Sequence, residues 1–128
     1  MSFRSPLGRA RGLGAAREGV VSHWWLQRLT AVALIPLALW FVYGMARYHV
    51  ADYQTVVAWM HNPYAAIAMI LWLVMLFYHS ALGLEIVMGD YIGIESIKVT
   101  LVILQKFVHV VLAVACVFAV LKLAFGAA

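Results

Sequence analysis

The sequence predicts an all-α membrane protein: three transmembrane helices in a bundle, N-terminus cytoplasmic and C-terminus outside. Three observations predict it. Of the 128 residues, 66% are hydrophobic and 11% are charged, against roughly 45–50% and 25% in ordinary soluble domains, and the mean hydropathy is +0.97. The apolar residues gather into three stretches, each long enough for the about 20 residues that a bilayer crossing needs. The basic residues gather at one set of span ends. Within these 128 residues three spans leave no room for a soluble catalytic domain, so any chemistry belongs between helices or to a partner chain.

Residues 1–21 form a basic arm, with Arg4, Arg9, Arg11 and Arg17, four glycines and no acid before Glu18. Glycine disfavours a helix here, and the arm reads as flexible. A cleaved secretory signal is not expected, because no small-residue cleavage site follows the first apolar run; the Arg-rich, acid-poor composition also fits a transit peptide. The first span is expected at about 24–48. Trp24 and Trp25 mark one interface and Trp40, Tyr43 and Tyr48 crowd the other. Pro36 lies mid-span, where its ring removes a backbone donor and kinks the helix.

A short connection with Arg47, Asp52, His61 and the turn-forming pair Asn62-Pro63 leads to a second span at about 64–88. The turn sequence GDYIG follows, and a third span is drawn at about 100–125. His49 and His61 read as solvated loop residues. Cys116, in the third span, cannot form an intrachain disulfide and reads as a small core hydrophobe. A cytoplasmic N-terminus puts seven of the nine Lys and Arg residues inside, leaving Arg47 and Lys122 outside. With a net charge of +4, these basic groups beside spans fit anionic lipid or an acidic protein partner, and nucleic acid is not expected.

His79 lies about nine residues, roughly 13 Å, inside the second span from its Met88 end. An imidazole at that depth needs a partner, faces the bundle interior and can ligate haem iron; a hydrogen bond to a neighbouring helix explains it too. Gly83, Ile86 and Asp90 share its helical stripe. Gly83 leaves a bare patch suited to a flat macrocycle or to close helix packing. Tyr91 offers a phenol that can donate to a quinone carbonyl, and Asp90 a carboxylate that can relay a proton or hold an arginine. An interfacial aromatic is equally at home there.

Arg28 is one turn inside the first span, preceded by Ser22 and His23. It either snorkels to the headgroups or pairs with a buried anion such as a haem propionate. His109 lies at a depth similar to His79, so two histidines on adjacent helices offer an intrachain bis-histidine site, with Lys106 one turn away.

Three stretches resemble one family: LGRARGLGAAREGV in the arm, HWWLQRLTA at the start of the first span, and HSALGLEIVMGDYIG in the second span and turn. Together with the three-span layout they are similar to the smaller hydrophobic membrane-anchor subunit of succinate dehydrogenase, respiratory complex II, in its alphaproteobacterial form. The larger anchor's S-x-x-H-R-x-[ST]-G signature is missing. The resemblance implies that His79 is an axial ligand of haem b, that the other histidine comes from the companion anchor subunit, and that Arg28 lies by a propionate. Some relatives carry a histidine six residues before that arginine; here Ser22 holds the position and His23 follows it, and both are assigned to the haem. It further implies that Tyr91, with Asp90, lines the ubiquinone site facing the iron–sulfur subunit.

The expected role is then an anchor that is not catalytic alone. It shares haem b and part of a quinone pocket, while flavoprotein and iron–sulfur subunits oxidise succinate, in the bacterial inner membrane or, as the alternative, the mitochondrial one. One cysteine cannot hold an iron–sulfur cluster. Two other functions fit the residues: a self-contained b-type cytochrome built on His79 and His109, and a cofactor-free structural membrane protein.

Overall fold

A computed structural model describes residues 15–48 and 52–126. Those residues form four helices and no strand: α1 Ala15–Tyr48, α2 Tyr53–His61, α3 Pro63–Tyr91 and α4 Glu95–Phe125. Three are long and apolar enough to cross a membrane, over Ser22–Tyr48, Pro63–Tyr91 and Glu95–Phe125. At 1.5 Å per residue α3 alone is about 43 Å long, more than the roughly 30 Å hydrocarbon core. It is therefore long enough to cross with some tilt.

The helix boundaries lie outside the expected ones. α1 starts at Ala15 and takes in Gly19, so the last part of the basic arm is helical; residues 1–14, with Arg4, Arg9 and Arg11, are outside the described residues, as is His49. The helix also runs on through Pro36. Gly89, Asp90 and Tyr91 belong to the last turn of α3, so the turn is shorter than GDYIG suggests.

The connection after the first span contains a helix of its own. Asp52 caps α2: its Oδ1 accepts from the Thr55 backbone N–H at 3.0 Å and from Thr55 Oγ1 at 2.6 Å. These two donors, the hydroxyl first, hold the Asp52 carboxyl below its ordinary range. Asn62 then ends one helix and begins the next. Its N–H donates to the Trp59 carbonyl at 3.2 Å, and its Oδ1 accepts from the Tyr64 N–H at 2.9 Å, with Pro63 in the first turn where no donor is missed.

α3 is the central element, packed against α1 on one side and α4 on the other, while α2 lies across α3 and α4 at the His61 end. The small buried core sits at that end, where Met60, Ala65, Ala66 and Val120 meet beneath Trp40, Trp59 and Leu73. Large apolar side chains such as Leu39, Phe107 and Phe118 remain exposed around the bundle. In lipid this is no penalty, because acyl chains are as apolar as the side chains they touch.

Candidate functional site around His79

The α1–α3 seam is apolar and aromatic towards the His61 end, where Phe41 and Trp72 stack with centroids 3.9 Å apart. It turns polar midway along α3. There Thr30 of α1 is buried to 4% exposure, and its Oγ1 lies 2.9 Å from His79 Nδ1. The hydroxyl also approaches two backbone carbonyls of its own helix, Leu26 at 2.7 Å and Gln27 at 3.0 Å. The Gln27 side-chain Nε2 stands 3.5 Å from His79 Nε2. A Cβ added to Gly83 would meet that same amide nitrogen at 3.4 Å.

One tautomer satisfies all of these contacts. An amide nitrogen only donates, so His79 Nε2 faces it as an acceptor. A neutral ring then carries its single proton on Nδ1 and donates it to Thr30 Oγ1. The hydroxyl's own proton goes to the α1 carbonyls, the usual back-bond of a helical threonine. Among the buried polar atoms, Gln27 Oε1 and His23 Nε2, one helical turn apart on α1, have no hydrogen-bond partner.

His109 is arranged differently. Its Nδ1–H donates to the Gln105 carbonyl at 2.8 Å and its Nε2 accepts from Ser80 Oγ at 3.2 Å. Its ring stands edge-on to Phe77, with centroids 6.2 Å apart. Nearby Gln105 Nε2 donates to the Ala81 carbonyl at 3.3 Å, and Lys106 Nζ lies 3.0 Å from Glu85 Oε2. His109 thus belongs to a polar seam joining α4 to α3, whereas His79 turns to α1. The equal depth of the two histidines does not bring them into one intrachain site.

The other expected site residues are spread out. The Arg28 guanidinium lies over the Trp24 ring, 4.0 Å from its centroid, a cation–π contact one turn apart on α1. Ser22 and His23 open on a cavity of about 570 Å³ between α1, α3 and α4, whose wall includes Phe77, Glu85, Lys106 and His109. Asp90 and Tyr91 are exposed at the end of α3, Tyr91 lying twelve residues and so about 18 Å along the helix from His79. Thr30 and Gln27 were not singled out in the sequence. The available signal was their polarity inside an apolar span, which obliges them to face protein.

Three spans and an intramembrane histidine held by a neighbouring helix define a small multi-pass membrane subunit. The family described as succinate dehydrogenase/fumarate reductase transmembrane subunit matches residues 1–125. The succinate dehydrogenase hydrophobic membrane anchor subunit of Rickettsia bellii is 30% identical over 118 residues, covering 92% of this chain and 94% of that one. The subunit of the same description from Paracoccus denitrificans is 29% identical over 127 residues, covering 99% and 97%. No solved structure is significantly similar. The chain belongs to the succinate dehydrogenase/fumarate reductase transmembrane subunit family, as a membrane-anchor subunit of succinate dehydrogenase. As such it associates with other subunits of that complex.

Proposed function

We propose that this subunit shares a haem b with a companion anchor subunit through His79 and forms part of a ubiquinone-reduction site at the Tyr91 end of α3. The observation that carries the haem reading is the setting of His79: an imidazole inside a membrane span, its Nδ1 2.9 Å from Thr30 Oγ1 and its Nε2 facing the Gln27 amide, contacts that are satisfied with Nε2 unprotonated. Histidine binds metals in that form, one nitrogen donating a hydrogen bond and the other offering its lone pair. The surrounding residues fit the group. Gly83 presents no side chain one turn away, and the flexible Gln27 amide lies against both it and Nε2. That amide's oxygen is buried without a partner, so turning it aside breaks no hydrogen bond at Oε1.

His79 would hold the haem iron from this chain, together with a histidine supplied by the companion anchor subunit. Haem, when bound, supplies a one-electron carrier. Arg28 brings the charge a propionate requires, and His23 and Ser22 lie within two turns of it on α1. His23 Nε2, buried and unpartnered, has bonding capacity for such a group.

Tyr91 and Asp90 supply the quinone chemistry available to this chain. The phenol donates to a quinone carbonyl, and the carboxylate passes a proton or holds a partner arginine. Flavoprotein and iron–sulfur subunits oxidise succinate and deliver two electrons; with two protons these convert ubiquinone to ubiquinol. The proposed orientation is N-terminus cytoplasmic in the bacterial inner membrane, since seven of nine basic residues then lie inside. Purification in mild detergent tests the assembly, with a companion anchor, an iron–sulfur protein and a flavoprotein expected. For the haem, His79→Ala is expected to remove the low-spin spectrum of the assembled complex. An unaltered spectrum overturns the reading.

A further inference from the structure

We infer that Thr30 is the positioning residue of His79: its hydroxyl selects the imidazole tautomer and ring orientation that leave Nε2 unprotonated. The inference rests on the haem reading for its purpose, but the hold on the ring is a property of this chain alone. Thr30 is at 4% exposure, so neither water nor lipid headgroups compete for its oxygen. Its proton is committed to α1, with the Leu26 carbonyl at 2.7 Å and the Gln27 carbonyl at 3.0 Å. What Oγ1 presents across the seam is therefore lone-pair density, 2.9 Å from His79 Nδ1. An acceptor at that place stabilises the Nδ1–H form, and the Gln27 amide donor beside Nε2 selects the same form.

The arrangement has a chemical consequence beyond packing. A hydrogen bond given by the non-ligating nitrogen makes an imidazole a stronger donor to its metal and fixes the plane of the ring. A buried valine at position 30 has nearly the same shape and no oxygen. It would leave the Nδ1–H without an acceptor in an apolar seam, where the ring gains by moving its proton to Nε2, the nitrogen needed for the iron. Serine at the same position keeps both the back-bond and the acceptor.

Two measurements test this on the full chain and on the complex. In the haem-free chain, labelled with 15N-histidine in detergent micelles, the His79 ring shifts are expected to report a proton on Nδ1. Thr30→Val should abolish that preference and Thr30→Ser should restore it. In the assembled complex Thr30→Val should weaken haem retention by about 10- to 100-fold and move the haem midpoint potential upward, with Thr30→Ser close to the unaltered subunit. An Nε2–H tautomer in the unaltered chain, or an unchanged tautomer in Thr30→Val, overturns the assignment. So does a serine variant that behaves like valine. Failure of the haem reading is separately visible: His79→Ala would leave the complex's spectrum intact while the 15N result still decides what Thr30 does to the ring.

Discussion

His109 Nε2 accepts a hydrogen bond from Ser80 Oγ at 3.2 Å while its Nδ1–H is held by the Gln105 carbonyl. Both nitrogens are thus tied to partners within the α3–α4 seam, and using Nε2 as a ligand would break the Ser80 hydrogen bond that joins the two helices. His109→Ala is accordingly expected to leave the haem spectrum of the complex unchanged. It should destabilise the subunit by about 1–2 kcal/mol through the lost hydrogen bonds, measured by thermal unfolding of the detergent-solubilised complex. A lost haem signal in this variant, with His79→Ala silent, would move the site to α4.

The same seam carries an ion pair, Lys106 with Glu85 at 3.0 Å. Neither charge is deeply buried, but both stand within spans, where an unpaired charge is costly. Removing one partner, by Lys106→Met or Glu85→Gln, should therefore destabilise more than removing both. A double-mutant cycle is expected to return a coupling of roughly 0.5–3 kcal/mol. A coupling of zero would mean that each group is solvated independently.

Gly44 is the close-approach glycine of α1. A Cβ there would stand 2.6 Å from Trp59 Cη2 and 2.8 Å from Cζ2. The indole cannot simply swing away, because Trp40 and Tyr48 flank it with ring centroids at 5.5 and 5.0 Å. Gly44→Ala gains up to about 1 kcal/mol of helix propensity but overpacks the contact by about 1–3 kcal/mol. A net loss of thermal stability is expected, with the haem spectrum retained. A stabilised variant would show that α2 yields freely.

Asp52 gives α2 a pH dependence of definite sign. Thr55, through its hydroxyl and then its backbone N–H, lowers the Asp52 pKa from its ordinary 3.8. The stabilisation is fully present above the ordinary value and is lost as pH falls through the lower folded one. The Thr55 amide resonance should therefore titrate with a midpoint below 3.8, and Asp52→Asn should remove the transition. A midpoint at or above the ordinary value would mean that the cap does not favour the ionised carboxylate.

The three spans were legible because hydropathy integrates over more than twenty residues, and no local signal competes with it. α2 was not, although its stop and start were written in Asp52, Thr55 and Asn62-Pro63. Nine residues is too short for periodicity to separate a helix from a loop. At the site, depth along the helix was legible and direction was not. His79 and His109 both stand about nine residues inside their spans, and only packing decides that one meets Thr30 and the other Ser80. For the same reason Gln27 and Thr30 could be recognised as polar residues in a span, but their convergence on one imidazole needs the α1–α3 register.

Tyr91 is 85% exposed at the end of α3, with Asp90 exposed beside it. In the proposed complex this edge faces the iron–sulfur subunit, and the phenol is placed to donate to a quinone headgroup between the two. Tyr91→Phe keeps the ring and removes only the donor. Losing one neutral hydrogen bond costs about 0.5–1.5 kcal/mol, which is roughly 2- to 13-fold in ubiquinone reductase efficiency, and more where the bond strengthens in the transition state. Succinate oxidation with an artificial acceptor bypasses the quinone and should be untouched, as should the haem spectrum, since His79 is twelve residues away along the helix. Co-purification of the flavoprotein and iron–sulfur subunits with the variant separates the hydrogen bond from assembly: a variant that no longer brings them down has lost the complex. Unchanged quinone reduction in an assembled complex would reduce Tyr91 to an interfacial anchor, and the donor to the quinone would have to come from another chain.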